Sequence, residues 1–196
     1  MSDDPDAVLA RDPVMAALVD RYELPALGGY DAYERLLYSI VNQQLSTTSA
    51  RTVRERVVEA LDGDVRPETV LSVDPERLRE AGLSGQKVEY VRAAAEAFRD
   101  RELDREGLAD SSNREAIAEL TAIRGVGEWT ARMYLIFVLE RPDVLPLGDL
   151  AVRRGIETLY ADGDSLTRAE MREIAESWRP YRSRGTRYVW AAYEDD

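Results

Sequence analysis

The chain has 196 residues, 44% hydrophobic and 33% charged, with a formal net charge of −12. That length and balance suit one compact domain, or two small lobes sharing a cleft, around a real hydrophobic core. Cysteine and histidine are both absent, which excludes disulfides, thiolate or imidazole metal sites, iron–sulfur clusters and histidine catalysis, and leaves acid–base chemistry to Asp, Glu, Tyr or the single lysine, Lys87.

Helical periodicity runs along the whole chain and no segment alternates as a strand, so the fold class is all-α. An opening helix is expected over residues 6–19, broken before Pro25 and the Gly28–Gly29 pair. Asp31 caps a second helix, with Tyr33, Leu36, Leu37, Ile40 and Val41 on its apolar face. Ser46 opens a third, which runs to about Leu61 and stops at the Asp62–Gly63 turn. Pro67 and Pro75 each start a short helix, where a missing N–H does no harm. Ser84 precedes a long amphipathic helix through Phe98. Ser112 caps the next, whose Ile117, Leu120 and Ile123 face inward. After Gly125-Val126-Gly127 comes a strongly apolar helix to Glu140, expected to be buried. Gly148–Asp149 starts one more, to about Tyr160. The turn at 161–165 leads to a helix near 169–178, and a last one covers roughly 184–193. No apolar run approaches the roughly 18 residues of a membrane span, and the first residues carry neither a basic nor an apolar leader segment. A cytoplasmic protein is therefore expected.

Charge is uneven along the chain. Residues 1–12 carry Asp3, Asp4, Asp6 and Asp12 against Arg11 alone, whereas residues 179–190 carry Arg179, Arg182, Arg184 and Arg187 with no acid. The basic run offers a local binding patch despite the acidic average. Arginine-dominated positive charge among widely spread acids resembles proteins of a very salty cytoplasm, where such a surface stays hydrated and screened. An ordinary acidic cytosolic protein is the alternative.

Residues 120–131, LTAIRGVGEWTA, follow the pattern L-x-x-I-x-G-V-G-x-x-T-A. Leu120 and Ile123 pack the first helix of a hairpin. Gly125 and Gly127 allow backbone angles closed to other residues and expose the amides around Val126. Those amides open the following helix, where the dipole and unpaired donors favour a phosphate oxygen. Thr130 and Ala131 are small enough for two helices to approach closely. Such a hairpin grips a nucleic-acid backbone without reading its sequence; the plainer reading is a turn between two helices with no ligand. Downstream, Asp149 starts a helix in the context GDLAVRRG, where a carboxylate is at least an N-cap.

The hairpin, a proline-containing loop and the aspartate together resemble the HhH-GPD superfamily of DNA glycosylases, most nearly the alkyladenine (3-methyladenine) type. The resemblance covers roughly residues 30–190. It implies two helical lobes with a cleft, one of about residues 30–110 and a second of hairpin plus catalytic residues, 112–190 with the N-terminal helix. It implies that Asp149 is the catalytic carboxylate, stabilising an oxocarbenium-like sugar; Asp143 is the weaker competitor, a turn residue. The run SIVNQQLS at 39–46 resembles the segment carrying the residue that fills the stack when a base is flipped out. That assigns the wedge to Gln44, then Leu45, against the plainer reading of an exposed helix end, and Asn42 replaces a small residue.

In bifunctional members a lysine two positions after the second hairpin glycine forms a Schiff base. Trp129 stands there, which implies base release without strand cutting. Lys87, in GLSGQK, matches a lysine with a structural or phosphate-directed role. Trp129 and Trp190 match pocket tryptophans whose faces attract cationic alkylpurines, although either could be plain core. Met133 stands where an aromatic is found and makes a softer wall.

The resemblance therefore implies a monofunctional glycosylase excising 3-methyladenine- or 7-methylguanine-type bases from double-stranded DNA. It implies a monomer that needs no cofactor and passes its abasic product to an endonuclease. The hairpin carbonyls of Thr121, Ile123 and Val126 are the matching ligands for a Na+ or K+ ion. A β-rich N-terminal lobe of larger relatives is not expected. The alternatives are a DNA-binding hairpin module without catalysis, or a glycosylase for oxidised or deaminated bases.

Overall fold

Side-chain caps set where the helices start. The computed structural model describes residues 4–28 and 31–195, the side chain of Thr47 excepted, and among them every regular element is an α-helix. Near the N-terminus, α1 (Pro5–Leu9) and α2 (Pro13–Arg21) are capped by Asp4 and Asp12, each with a proline in its first turn. The single helix expected over residues 6–19 is thus two. Pro13 would clash and lose a hydrogen bond inside a helix but fits its first position, and Asp12 accepts the amides of Val14 and Met15 in the new first turn. Gly29, of the glycine pair expected to follow, lies outside the described residues.

Gly28–Leu139 forms one compact unit. It contains α3 (Ala32–Asn42), α4 (Thr47–Ala60), α5 (Pro67–Ser72), α6 (Pro75–Glu80), α7 (Gly85–Asp100), α8 (Asn113–Thr121) and α9 (Glu128–Phe137). Asp31, Ser46, Ser84 and Ser112 are N-caps, as their positions before apolar-periodic runs predict, and Ser112 forms a full capping box with Glu115. α3 buries Tyr33, Leu36, Leu37, Ile40 and Val41, each worth about 1.5–3 kcal/mol when fully taken from water. α7 lies against α3 and α5 and brings Val88, Val91, Ala94 and Ala95 to that contact layer.

The inward face of α8 differs from the expected one. Ala116, Leu120 and Ile123 are buried while Ile117 is only half-buried: 116 and 120 share one side of the helix, and Ile123 lies past its end at Thr121. α9 buries Ala131, Tyr134, Leu135 and Ile136 and stops at Phe137, and Glu140 beyond it has a left-handed φ of 50°. α8 packs on α9, and α9 on α3. The hairpin therefore groups with residues 28–111, and the division falls after Leu139 rather than near residue 111.

The other unit joins the segment ending at Leu27 to Glu140–Asp196. Besides α1 and α2 it holds α10 (Leu150–Ala161), α11 (Arg168–Ile174) and α12 (Arg182–Asp195). Its core includes Leu9, Met15, Ile156, Met171, Trp178 and Val189. Trp178 is fully buried and donates to the Tyr160 hydroxyl. α10 and α12 approach closely at Gly155, where a Cβ would stand 2.5 Å from Val189 Cγ1. A glycine is needed there for packing, and it sets the start of α10 beside the middle of α12.

Candidate nucleic-acid interface and carboxylate site

The two hairpin glycines do different things. Gly125 has φ 92°, in the left-handed region that side chains rarely adopt, and a Cβ there would stand 2.2 Å from Cγ of Tyr90. Gly127 has φ −87°, open to any residue, and a Cβ there would meet nothing within 4 Å. The expectation of special angles at both glycines is thus corrected for Gly127, whose missing side chain only leaves open space. Gly127 is the N-cap of α9 and cannot cap with a side chain, so the first-turn amides face outward at the positive end of the helix. Val126 is buried and its amide donates to Ile123 O at 3.0 Å. Thr130 is 4% exposed and Ala131 0%. The Thr130 side chain is therefore packing, and only its main chain remains available to a backbone ligand, which narrows its expected DNA contact.

The segment that follows α3 is tied to this turn. α3 ends at Asn42, and Gln43 follows as its C-cap. Gln44 is exposed, with a left-handed φ of 60°, and Leu45 is 37% exposed. Gln43 Nε2 donates to Gly125 O at 3.0 Å. Lys87 Nζ donates to Val41 O at 2.7 Å and to Gln43 O at 2.6 Å, satisfying carbonyls left over at the end of α3. Burial pulls the Lys87 ammonium below its usual range. Of its three donors two are thus spent inside the protein, holding the turn that follows α3. Gln43, Gln44 and Lys87 line one groove with Tyr90, Gly125 and Gly127. Thr121, Ile123 and Val126 line it too, although Ile123 O already accepts one amide. No group of three or more acidic side chains that could hold a metal ion exists among the described residues.

On α9, Trp129 is 45% exposed and Met133 half-buried, four residues apart and so on one face.

Asp149 caps α10 with a half-buried side chain. Its Oδ1 accepts Val152 N at 3.0 Å and Trp190 Nε1 at 3.3 Å. The first bond orients the carboxylate at the helix start, and the second fixes it against the indole of α12. Trp190 is therefore more than an apolar wall, a link that sequence alone does not reveal. Asp149 N donates to Pro146 O at 2.9 Å, closing the proline-containing loop. Arg153, not singled out from sequence, donates to main-chain oxygens of the same loop.

The basic run is not a free patch. Arg179 and Arg182 both bond Asp143, at 2.6 and 2.5 Å. Arg184 forks onto Asp6 at 2.5 and 2.6 Å, and Arg187 is buried and donates to Pro25 O. The expected local patch is thus corrected: these guanidiniums hold chain segments together, answered by the nearby Glu176, which pairs with Arg179 at 2.8 Å, and by Asp6 and Asp143 from farther off in sequence. Asp143 is likewise more than a turn residue, since it anchors two arginines.

The model of the HhH-GPD superfamily base excision DNA repair proteins matches residues 37–180. DNA-3-methyladenine glycosylase 1 of Schizosaccharomyces pombe is 31% identical over 163 residues, 82% of this chain and 72% of that protein. The crystal structure of a DNA-3-methyladenine glycosidase from Bacillus halodurans superposes with a TM-score of 0.87 at 32% identity, covering 98% of this chain and 90% of that one. A Schizosaccharomyces pombe 3-methyladenine DNA glycosylase in complex with abasic DNA superposes with a TM-score of 0.81 at 29% identity, covering 97% and 96%. The chain spans 62% and 59% of the length of two Bacillus subtilis relatives.

Proposed function

The chain belongs to the HhH-GPD superfamily of base excision DNA repair proteins, and from that premise we propose that it is a monofunctional DNA glycosylase for alkylated purines of the 3-methyladenine and 7-methylguanine type. The observation that carries this reading is the Asp149 carboxylate, half-buried at a helix start and held through Oδ1 by Val152 N and Trp190 Nε1. A fixed carboxylate stabilises the positive charge that develops on the sugar as the glycosidic bond breaks, and it can orient the attacking water.

Other roles follow from the site. Amides flanking Val126 between Gly125 and Gly127 grip a phosphate, and Gln44, with Leu45, fills the space left by the flipped nucleotide. Trp129 and Met133 on α9, and Trp190 beside Asp149 on α12, are each assigned to contact with the base, a tryptophan face contributing about 0.5–2 kcal/mol against a cationic ring. The only lysine is committed to Val41 and Gln43 carbonyls, which supports base release without a Schiff base. A monovalent cation, where present, is held by the carbonyls of Thr121, Ile123 and Val126 and adds charge opposite a phosphate. The reaction runs on double-stranded DNA in the cytoplasm, by a monomer, with the abasic product passed to an endonuclease. No helix among the described residues is long and apolar enough to cross a membrane.

The test is release of 3-methyladenine or 7-methylguanine from alkylated duplex in molar salt, by wild type and Asp149→Asn. Wild type should release the base and the variant should not. A wild type that binds abasic DNA but releases no base overturns the enzyme; full activity in the variant overturns the role of Asp149.

A further inference from the structure

Two adjacent arginines on α10 behave differently. Arg154 follows the ordinary surface pattern and pairs with Glu157 three residues on, at 2.9 Å. Arg153 folds back over the start of its own helix, where Nη1 donates to Leu147 O at 3.0 Å, Gly148 O at 3.2 Å and Asp149 O at 3.4 Å. No carboxylate pairs with it among the described residues. A cation at a helix N-terminus sits at the positive end of the dipole, the end that favours anions. The placement is therefore not explained by helix stability, and its three acceptors are successive carbonyls of the loop that ends in Asp149.

We propose that Arg153 is a positioning residue for the Asp149 carboxylate, acting through the main chain of residues 147–149. Turning three carbonyls onto one guanidinium nitrogen removes the torsional freedom of the loop just where the carboxylate is attached. The carboxylate itself is held at Oδ1 by Val152 N and Trp190 Nε1, so Arg153 fixes the backbone end of the side chain and those two donors fix its tip. Lys87 uses the same device at the end of α3, where one ammonium holds the carbonyls of Val41 and Gln43. The inference rests on the reading of Asp149 as the reacting carboxylate.

The test compares wild type, Arg153→Met, Arg153→Lys and Asp149→Asn in three measurements: single-turnover base release from alkylated duplex, affinity for an abasic-site duplex, and melting temperature. Misaiming a reacting group by about an ångström costs up to about a hundred-fold in rate. Arg153→Met should slow release by between about ten- and a hundred-fold with affinity unchanged, and Arg153→Lys, whose ammonium offers three donors to the same carbonyls, should recover most of the rate. Wild-type release by Arg153→Met, or rate and affinity falling together without rescue by lysine, overturns the proposal. Full activity in Asp149→Asn, or a wild type that releases no base, overturns the underlying reading and the proposal with it.

Discussion

The side-chain amide of Gln43 donates to the main-chain oxygen of Gly125 at 3.0 Å, linking residues 82 apart in sequence. The end of α3, which presents Gln44, and the left-handed turn of the hairpin are thereby one mechanical piece. Gln43→Leu keeps the bulk and removes the bond, a loss of about 0.5–1.5 kcal/mol. Affinity for an abasic-site duplex should fall about three- to ten-fold, read by fluorescence anisotropy. Unchanged affinity would show that the hairpin turn and the segment after α3 act independently.

Alanine at the two hairpin glycines should give opposite defects. Gly125→Ala forces a methyl into the Tyr90 ring at a φ of 92° and should destabilise the fold by about 2 kcal/mol or more, seen as a lower melting temperature. Gly127→Ala meets no neighbour and should melt like wild type. Its methyl would stand in the open space before α9, so duplex affinity should fall while stability holds. Equal melting temperatures for both variants would contradict this division.

The two loop aspartates should separate stability from chemistry. Asp143→Asn breaks the charge pairing with Arg179 and Arg182, which is about 1.5–3 kcal/mol for hydrogen bonds to charged groups and several degrees of melting temperature, with base release retained. Asp149→Asn keeps an equally good N-cap and should melt within about 2 °C of wild type while release falls more than about a hundred-fold. A single assay pair, thermal melting and single-turnover release, distinguishes the four outcomes.

Acid should weaken the tie between α1 and α12. The hydrogen bond from Arg184 holds the Asp6 carboxyl below its ordinary 3.8, burial opposing and Tyr188 adding to it. A carboxylate with a depressed folded value contributes stability that is fully present above its unfolded value and is lost as pH falls through the folded one. The melting-temperature gap between wild type and Asp6→Asn should therefore be constant from neutral pH down to about pH 5, and close as the pH drops below 3.8. A gap that widens with acid would reverse the assigned sign.

What could be read in advance follows the range of the interactions. The face of α3 was legible because five apolar residues at helical spacing follow an aspartate cap, all within one segment. The break between α1 and α2 was as local, yet residues 6–19 scan as one amphipathic run unless Pro13 is given its full weight. Gly125 could be read because its left-handed φ of 92° favours glycine, whereas the role expected of Asp149 came from the family resemblance, since a carboxylate at that position is by itself only an N-cap. The tasks of Lys87, Gln43 and Arg153 could not be read, because their partners are main-chain oxygens, which every residue carries and no pattern marks. The arginines of α12 and its approach misled for a related reason: Asp6 and Asp143 answer two of them from 178 and 39 residues away, and Glu176, which pairs with Arg179, lies just before the run.

Gln44 holds a backbone conformation that glycine would adopt freely, and for a side chain such as glutamine the left-handed region costs about 1–2 kcal/mol. Gln44→Gly should therefore make the resting protein more stable. Under the wedge role proposed for Gln44, the same substitution removes the side chain that would enter the DNA stack, so robustness and repair would pull in opposite directions at this one residue.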